Sequence, residues 1–217
     1  YDWYLNKTHM RGERESWKNS TRSNALFLST AVQLNSADLR TPYEWLVNNL
    51  RVVEDASLLG EGFSVKQFLD DGYKEEIIAL MNAADVPLED LNIEVGDFDP
   101  DDLPGELPKE AIEGLRKQLK NKKLIKKIET VRSDSNGNEV TLDFGFESAG
   151  TQMLFSLAGP LLHTLRNGYT LVIDELQNNL HPLALKYVVD LFASQKNNPN
   201  GAQLIFTSHE ASILDDS

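Results

Sequence analysis

LVIDEL, Leu171 to Leu176, is the stretch on which the reading of this chain turns. Three consecutive apolar residues suit a short strand buried on both faces, as strands of parallel sheets are. Asp174 and Glu175 then emerge at its C-terminal end, the edge where open α/β sheets hold their ligands. Neighbouring carboxylates repel each other, so a strand end that keeps both is most simply accounted for by a cation. In phosphate chemistry the first acid suits Mg²⁺, a hard ion that gives up water reluctantly. The second suits orienting or deprotonating an attacking water. The plainer alternative is an Asp-Glu pair in an exposed turn or helix cap.

Downstream, Pro182 to Ser194 is predicted helical, and Ala202 to Thr207 is a second apolar strand. Helices alternating with continuous apolar strands predict an α/β fold with a parallel sheet. FTSHE, residues 206 to 210, follows that second strand and places His209 beside the neighbouring strand end, within reach of a phosphate. Its alternative is a lone surface histidine. Upstream, ESAGTQ, residues 147 to 152, opens a helix predicted over 149 to 166. Small residues there let a ligand approach the backbone, and a helix start favours phosphate. The alternative is an ordinary cap by Ser148.

Further upstream, SDSNGN joins two β-rich runs, 125 to 132 and 139 to 146, into a predicted hairpin. Val140, Leu142 and Phe144 alternate with polar residues as a half-buried strand would. Residues 108 to 127 are predicted to form one helix, and 89 to 106 a strand-like piece followed by an acidic loop. Two short helices are expected around Gly72, with Ser64 as a cap, and another opening at Thr41-Pro42. NALFLSTAVQ, from Asn24, is a buried strand or a helix start. These shifts in composition divide the chain into 1–35, 36–129 and 130–217.

The 217 residues suffice for one sizeable core or a core with an insertion. Hydrophobic residues make up 41% and charged residues 25%, which is ordinary for a globular protein. The net charge of −13 repels nucleic-acid phosphates, so direct nucleic-acid binding is not expected. The one basic cluster, Lys117 to Lys127, reads as a solvated helix face. No cysteine is present, which removes disulfides, thiolate metal sites and cysteine nucleophiles. Four histidines without metal-ligand spacing predict no histidine-bound metal. No apolar run is long enough to span a membrane, and a cytoplasmic protein is expected.

The order of these pieces resembles the AAA/ABC-like ATPases of prokaryotic defence systems, relatives of the SMC, OLD-type, Septu and retron-associated ATPases. The likeness covers residues 130 to 217 closely and residues 24 to 35 loosely. It implies a P-loop NTPase fold, here the C-terminal lobe of an ABC-type ATPase head with a mainly helical insertion. On that likeness, 1–35 is a remnant of the N-terminal lobe, 36–129 a helical arm, and 130–217 the lobe carrying the motifs. ESAGTQ stands at the signature motif, so Ser148, Gly150 and Gln152 would meet ATP bound to an opposite subunit. Asp174 stands at the Walker B aspartate that holds Mg²⁺, and Glu175 at the catalytic glutamate. Asn178 falls in the D-loop, His209 at the switch histidine, and Gln33 at the Q-loop glutamine. Two departures stand out. The signature reads ESAG where Leu-Ser-Gly-Gly or Leu-Ser-Ser-Gly is commoner, and no G-x-x-x-x-G-K-[ST] occurs. The resemblance places that phosphate loop before residue 1.

The resulting expectation is ATP binding and hydrolysis by a homodimer of the intact protein that closes head to head, these 217 residues being inactive by themselves without the phosphate loop. Such heads regulate a nuclease or another effector in antiphage defence. One alternative is a regulatory module that senses ATP without hydrolysing it. Another is a metal-dependent nuclease using Asp174 and Glu175, for which Asp215 and Asp216 stand too far from the strand end.

Overall fold

The computed structural model describes residues 3–6, 10–56, 59–70, 72–97, 99, 108–119 and 123–210. Asp215, Asp216 and most of the acidic loop predicted after residue 97 lie outside this set. By internal contacts the chain forms two units, Tyr1–Val52 and Val53–Ser217.

Among its described residues the first unit holds three helices, α1 (Arg14–Ser20), α2 (Phe27–Gln33) and α3 (Ala37–Asn49). The Asn24 segment is therefore helical. Trp17 of α1 is buried, its indole lying where a Cβ on Gly12 would be only 2.7 Å away. Asn35 ends α2 in the left-handed region, at φ 66°, and turns the chain straight into α3. That turn sets the start of α3 at Ala37. Pro42, predicted to open the helix, instead lies inside it.

In the second unit, α7 (Ala149–Asn167) is the axis of the core. Eleven of its residues are buried, Phe155, Leu157, Ala158 and Leu161 completely. Around it pack α4 (Gly62–Asp70), α5 (Lys74–Ala83) and α8 (Pro182–Ala193), with β5 (Thr170–Ile173) beneath. β5 pairs in parallel with β6 (Gln203–Phe206), from Thr170 against Gln203 to Ile173 against Phe206. On the other side of β5, Asp174 N donates to the carbonyl of Val53, the last residue of β1 (Leu50–Val53). The strand–helix–strand unit read from the sequence is thus present, and both strands end at the same edge.

A second, antiparallel sheet has the order β2 (Asp90–Asp97), β3 (Lys123–Ser133), β4 (Glu139–Asp143). The hairpin turn forms as Asn136-Gly137 predicts. Gly137 takes φ 81°, and Asp134 accepts from the backbone N–H of Asn136 and Asn138, each at 2.8 Å. Two expectations fail here. Residues 108 to 127 are not one helix, because α6 (Lys109–Leu119) is followed by β3, whose pairing with β2 claims Lys123 to Lys127. The basic cluster is split accordingly. β4 is exposed along its whole length, Val140 and Leu142 included, because it is an edge strand that no described residue covers. By contacts the units meet between Val52 and Val53. β3 runs across residue 129, and α4 and α5 share one core with α7.

Ser64 is no cap. It lies inside α4, fully buried against the middle of α7. Pro160 has no N–H to give the carbonyl of Ser156, four residues earlier. Ser64 Oγ donates to that carbonyl at 3.0 Å and accepts from Gly159 N at 3.0 Å. Gly159 makes this possible, since a Cβ there would sit 2.7 Å from Ser64 Cα. A proline defect in a buried helix is thus repaired from another helix.

Candidate active site

At the edge where β5 and β6 end, Ile173 and Phe206 are register partners, so the next residues, Asp174 and Thr207, are neighbours. Thr207 Oγ1 donates to Asp174 Oδ1, and the same hydroxyl accepts from Glu175 N at 2.8 Å. Thr207 N and O extend the strand pairing, to Ile173 O and from Leu176 N. One threonine therefore orients both members of the acidic pair. The sequence reading passed over it. The available signal was its place as the first polar residue after an apolar strand.

Glu175 stands at φ 50°, in the left-handed region that glutamate seldom occupies. Three contacts hold it there. Thr207 takes its N–H, Asn178 N donates to its carbonyl at 3.0 Å, and Asn178 Nδ2 donates to Oε2 at 2.7 Å. Its other carboxylate oxygen, Oε1, lies 3.7 Å from His209 Nε2. A backbone outlier fixed by its surroundings points to a functional position. His209 is 85% exposed, so its ring can also face a ligand outside the strand edge.

Ser148 caps α7, accepting from Thr151 N at 3.1 Å. Gly150, in the first turn of α7, abuts the turn that follows β5. A Cβ on it would lie 2.9 Å from Asn179 O. The positive end of a long helix thus meets the Glu175–Asn179 turn. Gln152 does not face that turn. Its Nε2 donates to the carbonyls of Phe144 and Glu147, both at 3.1 Å, and tethers the loop before α7.

Glu147, the first residue of ESAGTQ, is paired and its charge neutralised. Arg132 of β3 grips its carboxylate with two bonds of 2.6 and 3.0 Å, and Thr130 Oγ1 adds a third at 2.6 Å. Burial pushes its pKa up, but the hydrogen bonds from Arg132 and Thr130 and the guanidinium charge outweigh burial and hold it below the ordinary carboxylate value. The carboxylate therefore contributes stability above its unfolded pKa, and loses it as pH falls through the lower folded one. The Glu147→Gln variant is expected to be less stable than the parent at neutral pH, with the difference shrinking below about pH 4, near the unfolded pKa of Glu. Urea melts at a series of pH values measure it; a constant difference would contradict the assignment.

The structure thus brings together Asp174, Glu175, Asn178 and His209, and seats Gly150 beside them. Gln33 closes α2 as an exposed residue of the first unit. Among the described residues, no three His, Asp or Glu side chains converge to hold a metal unaided. Asp174 with the Thr207 hydroxyl fits a different demand. One carboxylate suits Mg²⁺ that keeps several waters and shares the phosphates of its substrate.

Removing the Thr207 hydroxyl leaves exposed groups that water can satisfy, so Thr207→Val is expected to cost only about 0.5–1.5 kcal/mol of stability. Misplacing the acids should lower turnover about 10- to 100-fold. Thr207→Ser should restore it. Thermal melts and phosphate release, measured side by side, separate the two effects.

A parallel strand pair ending in two acids, a threonine and a histidine, with a helix start set against it, is an α/β arrangement that suits a phosphate ligand. A family model described as "AAA domain, putative AbiEii toxin, Type IV TA system" matches residues 2–215, and the chain belongs to that family. It is accordingly an AAA-type domain of the P-loop NTPase class, whose members bind nucleotide with Mg²⁺. No curated protein matches it. Among the described residues, no helix is long and apolar enough to cross a membrane.

Proposed function

We propose that this protein binds and hydrolyses ATP, with the acidic pair after β5 as its catalytic edge. The observation that carries the reading is the fixed geometry of Glu175, held by Thr207 and Asn178 with one carboxylate oxygen turned toward His209. On this reading Glu175 orients an attacking water and takes its proton, while its Asn178 bond fixes the carboxylate plane. His209 donates toward the terminal phosphate. Asp174 would hold Mg²⁺, which, when bound, offsets the charge of the phosphates.

The helix start at Ser148 and Gly150 supplies N–H groups and a positive end for a phosphate. In the ABC-type arrangement that phosphate belongs to ATP carried by a second copy, so turnover is coupled to head-to-head closure of a homodimer. Gln33 stays the Q-loop candidate by resemblance alone, and Gln152 acts by holding the loop before α7. The family's description names a putative toxin, which supports a role in regulating a nuclease or other effector in defence.

Calorimetry with ATP and Mg²⁺ on the intact protein, paired with phosphate-release and sedimentation measurements, tests this. Binding with turnover and ATP-dependent dimerisation is expected. Binding without phosphate release would convert the protein to an ATP sensor. No binding would remove the proposal.

A further inference from the structure

The cluster Thr130–Arg132–Glu147 lies outside the acidic edge, and no catalytic step uses it. Glu147 directly precedes Ser148, the cap of α7. Its side chain is only 7% exposed, and all three of its donated bonds come from one strand, β3. Thr130 is completely buried. Arg132 is itself anchored, because its Nε donates to Pro87 O at 2.8 Å, in the connection between α5 and β2. From the other side, Gln152 holds the carbonyl of Glu147.

An ion pair with its carboxylate buried and its guanidinium partly so is a costly way to stabilise a loop. Apolar residues of similar volume are often as good or better for stability, whereas bidentate pairing fixes a geometry. What is fixed here is the residue immediately before the helix start assigned to phosphate.

We propose that Arg132 and Thr130, acting through Glu147, are positioning residues that set the pose of Ser148 and Gly150, and that movement of the β2–β3–β4 sheet is thereby transmitted to the start of α7. The functional half of this rests on the phosphate-binding role proposed for Ser148 and Gly150; the mechanical half does not. The antiparallel sheet becomes the control element. Whatever displaces β3 loosens the helix start, while the acidic edge, built from β5 and β6, stays formed.

The test uses Glu147→Gln, Arg132→Lys and Thr130→Val in the intact protein, with Thr130→Ser as the conservative control. Hydrogen exchange reads the mechanical half. Amides of Thr151 and Gln152, bonded to Ser148 Oγ and O, should exchange at least about tenfold faster in the first three variants and not in Thr130→Ser. Amides of β5 and β6 should be unchanged. Parent-like exchange at the helix start in Glu147→Gln and Arg132→Lys would overturn the proposal, whether or not ATP is hydrolysed. So would equal loosening everywhere, which is what a merely structural pair predicts.

Turnover reads the functional half, with Glu175→Gln run alongside. A kcat lowered about tenfold or more at unchanged ATP affinity is expected for Glu147→Gln, with Thr130→Ser close to the parent. If Glu175→Gln abolishes turnover and Glu147→Gln leaves kcat alone, the positioning role falls and the ATPase reading stands. If Glu175→Gln has no effect, that reading falls, and exchange alone judges the linkage of β3 to α7.

Discussion

Replacing Glu175 by Gln is expected to cut ATP turnover about 10²- to 10⁴-fold, the range that a positioned general base contributes. Nucleotide binding should stay within a few-fold of the parent. The change keeps the shape of the side chain and its place in the Asn178 contact, because an amide oxygen can still accept from Nδ2. It removes the capacity to take a proton. The φ of 50° is a backbone property of the turn and should survive. ATP-bound dimers should therefore accumulate, since closure no longer ends in hydrolysis. Single-turnover phosphate release together with sedimentation in ATP measures both. Turnover at the parental rate would reject Glu175 as the base and, with it, the central role given to the edge of β5.

The largest effect expected on stability lies far from that edge, at Gly159. An added Cβ would meet Ser64 Cα at 2.7 Å, Oγ at 2.8 Å and N at 3.1 Å. These are mostly backbone atoms of a buried helix, so α4 must move away from α7. Its displacement breaks the two bonds by which Ser64 satisfies Ser156 O and Gly159 N. Overpacking costs about 1–3 kcal/mol. Unsatisfied buried groups cost about 1–3 kcal/mol more. The gain in helix propensity from Gly to Ala, about 1 kcal/mol, opposes both. Gly159→Ala should therefore lose about 1–5 kcal/mol in urea or thermal melts. Ser64→Ala isolates the hydrogen-bond part and should lose about 1–3 kcal/mol. A Gly159→Ala protein as stable as its parent would mean that the two helices are not in close contact.

Glu175 and Gly159 differ in how far they could be read in advance. The acidic pair announces itself, because two adjacent carboxylates closing an apolar triplet repel each other unless a cation lies between them and a ligand. Gly159 sits in a helix that is legible as a helix, yet its need for close approach depends on Ser64, 95 residues away. Ser64 was legible only as a cap. Pro160, in the same helix, held the missing clue, since a carbonyl without a donor must find one elsewhere.

The sequence alone determined the elements whose signals are local. β5, α8 and β6 follow from apolar runs and the Pro182 helix start, and the β3–β4 turn from Asn136-Gly137. With them came the placement of Asp174, Glu175 and His209 at one sheet edge, because parallel strands joined by a helix end on the same side. Only the tertiary structure decided the partners: Thr207 for the acid pair, Arg132 for Glu147, Ser64 for α7, and solvent rather than a second layer for β4. Each of these depends on which segments meet across the fold, and periodicity reports only which face of a segment is apolar. A buried charge or a missing donor shows in the sequence as a demand, and the folded chain alone shows what meets it.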